Sequence, residues 1–140
     1  MINFGYSLLS KEIYGELENR GLSAYAGFLH EDKDRHPALA SDMIEEWRAV
    51  IVDSVVLNMI QRHEVSADMF SYDDNRCIMS PEVMKAMFIQ MENKMQTETN
   101  YLSYLQKPVT FRSAIWHQAE KLAKAIECEK PEMYMPVMIR

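Results

Sequence analysis

The chain has 140 residues, enough for one domain with a real core and too few for two ordinary ones. Hydrophobic residues make up 48% and glycines number only 4, which excludes a disordered chain and disfavours a turn-rich β fold. The formal net charge of -6 is an objection to nucleic-acid binding unless local basic residues, bridging metal ions or a basic partner offset it.

A first helix is predicted from Ile2 to Arg20, where Ile2, Tyr6, Leu9, Ile13 and Leu17 recur at spacings of three and four as one apolar stripe. Gly21 supplies its C-terminal stop. Leu22 to His30 is a short apolar connection with a turn signal at Gly27, and Glu31 to Pro37 reads as a charged, exposed loop containing a solvated His36. A second helix starts near Ala38. Steps of 100° per residue put Leu39, Ala40, Met43, Ile44, Trp47 and Val50 on one side, and Ser41, Asp42, Glu45, Glu46 and Arg48 on the other. After Arg48 the pattern changes. Val50 to Ile60 is apolar nearly all round, as in a helix at the middle of a core. The run Val50-Ile51-Val52 also suits a strand, but the segment's length favours helix.

From Val65 to Met79 the helical period fails, and Phe70-Ser71-Tyr72 with Cys77-Ile78-Met79 reads as a small hairpin turning at Asp73 to Arg76. Ser80-Pro81-Glu82 marks the start of a helix that reaches about Thr97. A final helix runs from about Pro108 to Cys128, and the tail from Glu129 is expected to lie extended along the surface. Trp47, Trp116 and most of the 12 methionines are read as core. The expected fold class is mainly α: a single helical domain over residues 1–140 with one small β-hairpin. No apolar run approaches about 20 residues, so a membrane span is not expected. Cys77 and Cys128 form no C-x-x-C motif, which points away from a disulfide framework and toward a reducing, cytoplasmic location.

The candidate chemistry gathers around position 42. Asp42 and Glu45 stand nearly one helical turn apart and project from one face, just after a segment ending in His30. An imidazole and a carboxylate from adjacent elements can converge on one divalent cation, and this pair suits a hard ion with mostly oxygen ligands and open water positions. The plainer alternative stands beside it: acidic residues near a helix start favour the helix dipole, and a histidine after an apolar segment is commonly packed and hydrogen-bonded. Arg48 has two readings, a phosphate contact or a pair with an acidic neighbour. His117, Lys121 and Lys124 share a face of the last helix, which is either a DNA-phosphate contact or a solvated surface. His63 reads as a helix-end residue, and Asp53, within an apolar helix, as the holder of a structural hydrogen bond.

At these residues the sequence resembles the CRISPR-associated integrase/endonuclease family that acquires new spacers, in its C-terminal helical domain. The likeness is carried by Asn3-Phe4-Gly5-Tyr6-Ser7-Leu8-Leu9, the turn Gly21-Leu22, and Gly27-Phe28-Leu29-His30. It continues in Leu39-Ala40-Ser41-Asp42-Met43-Ile44-Glu45, Trp47-Arg48 and Ile51-Val52-Asp53. It is dense from Asn3 to Asn58 and loose after Met79. The resemblance implies that His30 and Glu45 bind Mg²⁺ or Mn²⁺ and that Asp42 lines the same catalytic site. It also implies metal-dependent phosphodiester chemistry on DNA: a 3′-hydroxyl of a captured fragment attacks repeat DNA, with nuclease activity alongside. The implied partners are DNA, a second copy in a homodimer and a small ferredoxin-fold adaptation protein. The family's N-terminal β-rich domain and an upstream glutamate ligand have no match in this sequence, and the family's Arg-Pro step is Arg48-Ala49 here. Met1 accordingly resembles an internal methionine of a longer protein, with an incomplete site and little or no activity expected of the fragment. The alternative from another class is a non-catalytic helical interaction module.

Overall fold

The structure, a computed structural model, describes residues 1–29, 36–74 and 76–137. Helix α1 spans Ile2–Glu18 and buries Leu9, Ile13 and Leu17, the inner part of the expected stripe. It ends as the sequence indicates. Gly21 adopts φ 71°, Leu22 N–H reaches the Leu17 carbonyl at 3.1 Å, and Gly21 N–H reaches Glu18 at 2.9 Å. These two bonds close the glycine-terminated helix end known as the Schellman motif.

Helix α2 spans Ala38–Ile44, starting where expected. It gives way to turn conformation at residues 45–47, and the chain then widens into a π-helical segment, Ala49–Asp53, that leads into α3, Ser54–Gln61. Within this widening Ser54 N–H bonds the Ala49 carbonyl five residues back, while the Ser54 hydroxyl donates to the Val50 carbonyl at 2.7 Å. The apolar run from Val50 is therefore helical, and the change of pattern after Arg48 coincides with the π segment. Ile51, Val52, Val55, Val56 and Met59 are buried, but Leu57, Asn58 and Ile60 are exposed, so α3 lies at the side of the core and not at its middle. Asp53 accepts a hydrogen bond from the Tyr6 hydroxyl at 2.8 Å, the structural role expected of it.

Strands β1, Phe70–Asp73, and β2, Arg76–Met79, form the hairpin, with Phe70 opposite Met79 and Asp73 opposite Arg76. Helix α4, Pro81–Met95, begins at Ser80, whose hydroxyl accepts from Val83 N–H at 3.3 Å. A second antiparallel pair, β3 at Glu98–Thr99 and β4 at Val109–Thr110, was not expected. It holds Val109 and Thr110 extended, so α5 runs from Phe111 to Glu127 and starts at the Thr110 cap instead of Pro108. Helix α1 packs on α2, the π segment and α5, and α4 packs on α3, the π segment and α5. Arg112 of α5 ties three helices together: Nε donates to Glu12 of α1 at 2.6 Å, and both Nη groups donate to Glu92 of α4 at 2.9 and 2.8 Å.

Two other expectations are corrected. Trp47 is fully buried, but Trp116 is 43% exposed, with the Arg20 guanidinium 4.8 Å from its ring centroid. The C-terminal tail is not merely surface chain: Val137 is buried and the Tyr134 hydroxyl is drawn into a polar network on α5. Among the described residues, no helix is long and apolar enough to cross a membrane. Cys77 and Cys128 are free and exposed.

Candidate metal-binding site

The segment after α1 is fastened to α2 at two points. The Ala24 carbonyl accepts from Leu39 N–H at 2.9 Å and Ala40 N–H at 3.4 Å, satisfying two of the amide donors that every helix start leaves unpaired. Farther along, Asp42 Oδ2 accepts from Phe28 N–H at 2.6 Å and from Leu29 N–H at 3.0 Å. Two successive backbone amides closing on one carboxylate oxygen form a small anion-binding concavity. Gly27 makes the approach possible. A Cβ at this position would stand 2.6 Å from Ala38 Cβ and 3.0 Å from Asp42 Oδ2, too close for either to remain in place.

The three carboxylates near this turn therefore differ. Asp42, on the polar side of α2 as expected, is only 3% exposed and engaged with backbone amides, so this member of that side faces protein. A helical wheel places residues by angle alone and does not register donors delivered by another segment. Glu46 is likewise engaged with protein groups. Its carboxylate accepts from the Tyr134 hydroxyl, from Gln118 Nε2 at 2.8 Å and from Val137 N–H at 3.2 Å. Glu45 stands exposed at the end of α2, with one oxygen 3.0 Å from Arg48 Nη2. Of the two readings of Arg48, the structure shows the acidic pair. Both partners are substantially exposed, so solvent screens it heavily.

His30 lies outside the described residues, so its approach to Glu45 is not described. The last described residue before it, Leu29, is held on Asp42, one turn from Glu45. Among the described residues, no three His, Cys, Asp or Glu side chains gather as a metal-holding group. Glu45 offers this side of α2 one solvent-facing carboxylate, a hard oxygen donor.

The basic candidates of α5 do not join this cluster by any contact seen. His117 Nδ1 lies 3.8 Å from Glu120 and its ring meets Trp116 edge-on. Lys124 pairs with Glu120 at 2.7 Å, and Lys121 Nζ sits 5.0 Å from the centroid of the Tyr104 ring. Helix α5 is instead linked to the site by Gln118, which is fully buried, accepts from the Tyr104 hydroxyl at 2.9 Å and donates to Glu46. Sequence reasoning missed Gln118 and its partner Tyr134. A signal for Gln118 existed, since a polar amide three residues after Ile115 and four before Leu122 falls on the apolar side of its helix.

Comparison with known proteins first fixes the class. The chain superposes over its whole length on a casposase bound to integration product, with a TM-score of 0.85 and 24% identity, covering 41% of that chain. It likewise superposes over its whole length on a Cas6-RT-Cas1–Cas2 complex, with a TM-score of 0.81 and 20% identity, covering 15% of that chain. These likenesses establish the helical fold. The profile of the family described as CRISPR associated protein Cas1 matches residues 1–93, and the chain belongs to this family. It is similar to the CRISPR-associated endonuclease Cas1 of Mycobacterium tuberculosis (strain CDC 1551 / Oshkosh), with 34% identity over 141 residues, 99% of this chain and 42% of the relative. The chain thus spans about two fifths of the length of that curated relative.

Proposed function

We propose that this chain is the metal-binding helical part of a CRISPR-associated DNA integrase/endonuclease that inserts new spacers, acting in the cytoplasm with Mg²⁺ or Mn²⁺. The observation that carries the reading is the fastening of Phe28 and Leu29 to Asp42, one turn from the exposed Glu45. It commits the chain to the acidic side of α2 immediately before His30. The reading assigns His30 and Glu45 as ligands, with Asp42 in the same site. A bound cation supplies Lewis-acid polarisation of a phosphoryl oxygen and stabilises the departing alkoxide. Glu45 contributes a hard oxygen donor and His30 a ring nitrogen. Two protein ligands leave most positions of a six-coordinate ion to water, substrate oxygens or a carboxylate from elsewhere in a longer protein, so weak binding is expected of these 140 residues. Arg48, within one turn of Glu45, is suited to a phosphate oxygen once Glu45 turns to the cation. His117, Lys121 and Lys124 are assigned as further backbone contacts to DNA.

The reaction is phosphodiester transesterification by a 3′-hydroxyl, with hydrolysis when water is the nucleophile. Family membership supports this, as does likeness in fold to a protein whose structure holds an integration product. The likeness to a Cas1–Cas2 complex supports a small ferredoxin-fold partner, and a homodimer is part of the same reading. Titration calorimetry with Mn²⁺ tests it. The wild-type chain binds, and a His30→Ala, Glu45→Ala double variant loses the heat signal. Equal behaviour of the two rejects the assignment.

One observation favours a non-catalytic interaction module instead: Phe28, Leu29 and Ile126 are all exposed, at 60%, 69% and 52%. That reading predicts self-association without any response to Mn²⁺, which sedimentation with and without the ion resolves.

A further inference from the structure

We infer that Trp116 is a platform on which an unpaired DNA base stacks, held by Arg20 and bordered by the basic side chains of α5. The inference rests on the DNA reading above and adds a place for a base to the backbone contacts assigned there. The indole is 43% exposed, yet it is not loose. The Arg20 guanidinium stands 4.8 Å from the centroid of the ring, and the His117 ring meets it edge-on at 4.8 Å. Arg20 is itself pinned. Its side chain is 11% exposed, and Nη1 donates to the Glu16 carbonyl oxygen at 2.7 Å and to the Glu16 carboxylate at 2.6 Å. An exposed ring that is already oriented loses little rotamer freedom when something settles on it.

Charge decides the occupant. Trp116 borders the side of α5 that carries His117, Lys121 and Lys124. Glu120 lies among them, but Lys124 pairs with it at 2.7 Å and His117 stands 3.8 Å from it. Lys121, 5.0 Å from the centroid of the Tyr104 ring, has no carboxylate partner among the described residues. An aromatic ring beside basic side chains suits a single strand, whose phosphates meet the cations while a base stacks on the ring. In a duplex the base faces are hidden in the stack, so an intact double helix offers Trp116 nothing to stack on.

The chain has two tryptophans, and Trp47 is fully buried, so a change in tryptophan emission on binding reports Trp116. The 140-residue chain is titrated at low salt with an oligothymidylate strand and, separately, with a blunt duplex of the same length. The single strand quenches the emission and the duplex does not. Affinities come from the anisotropy of an end-labelled DNA. Trp116→Leu, which keeps an apolar side chain but has no π face, weakens single-strand binding about 5–100-fold, whereas Trp116→Phe keeps most of it. Duplex affinity is the same in both variants. Binding of the single strand without quenching, or equal single-strand affinities of the Leu and Phe variants, overturns the inference and leaves the DNA reading standing. Absence of binding to either DNA overturns both. Emission that changes with protein concentration in the absence of DNA marks the ring as a contact between copies and overturns the inference as well. The quenching is read on the wild-type chain, so it decides the matter even if a variant fails to fold.

Discussion

The Tyr134 hydroxyl donates a hydrogen bond to the Glu46 carboxylate across 88 positions of sequence. Gln118 and Val137 donate to the same group, so one side chain gathers α5 and the C-terminal tail onto the turn that follows Glu45. Burial, reinforced by the Glu46 charge and that hydrogen bond, drives the Tyr134 phenol far above its ordinary range and keeps it protonated as a donor.

Tyr134→Phe is therefore expected to cost about 1–3 kcal/mol in urea unfolding, because it strips a donor from a half-buried carboxylate. Glu46→Gln is expected to destabilise as well. The double variant should lose less than the sum, with a coupling of at least about 0.5 kcal/mol. Strictly additive losses would mean that the two side chains act independently.

Tyr104 contributes to the alkaline limit alongside Tyr134. Burial first, then the charges of Glu46 and Glu120, push the Tyr104 phenol up to about 12. The unfolded chain loses this proton near pH 10, so above that value the folded state binds more protons than the unfolded one. The contribution is whole below pH 10 and is lost as pH rises through about 12. Melting temperature should fall over this window, and less steeply in Tyr104→Phe. An identical slope in the variant would remove Tyr104 from the explanation.

The triad on Arg112 contributes to the acid limit. Hydrogen bonds from Arg112, and then Gln96, hold Glu92 down at about 2 from an ordinary 4.5. Its contribution is present above 4.5 and is lost as pH falls through about 2. Glu92 is more than half exposed, so solvent screens the effect and only its direction is specified. Acid unfolding of Glu92→Gln followed by circular dichroism should show a shallower dependence on pH across this window. A dependence as steep as the wild type's would rule the pair out.

Signals completed within a few residues were legible. The Gly21 stop, the Ser80 cap and the turn at Asp73 to Arg76 are each satisfied by neighbours in sequence. Thr110 was missed as a helix start because Val109 and Thr110 are kept extended by pairing with Thr99 and Glu98. In the site, the placement of Asp42 and Glu45 one turn apart was readable from spacing. Their different environments were not, because those depend on residues 24–29 folding back over α2 and on a tail more than 80 residues away. For Asp42 the amides of Phe28 and Leu29 take the place of water, and a helical wheel, which gives angle alone, does not report them.

Two helix ends repeat the Gly21 geometry without glycine. His63 at φ 55° follows α3 and Glu129 at φ 53° follows α5, with the same pair of backbone bonds closing each. Left-handed backbone costs a residue with a side chain about 1 kcal/mol or more. Gly21→Ala should lower stability by about 1 kcal/mol, whereas Glu129→Gly should raise it by about 0.5 kcal/mol in chemical unfolding. Shifts of the same sign in both would contradict this reading of the caps.

The π segment at Ala49–Asp53 holds one residue more than a regular turn, because its bonds reach five residues back where an α-helix reaches four. A single-codon deletion there would convert the widened turn to α-helix and leave Val55 and Met59 facing the interior. The same deletion inside α3 would instead rotate every residue beyond it by about 100°. This short stretch is therefore the one place along the second and third helices where the chain can lose a residue without resetting the order of its faces.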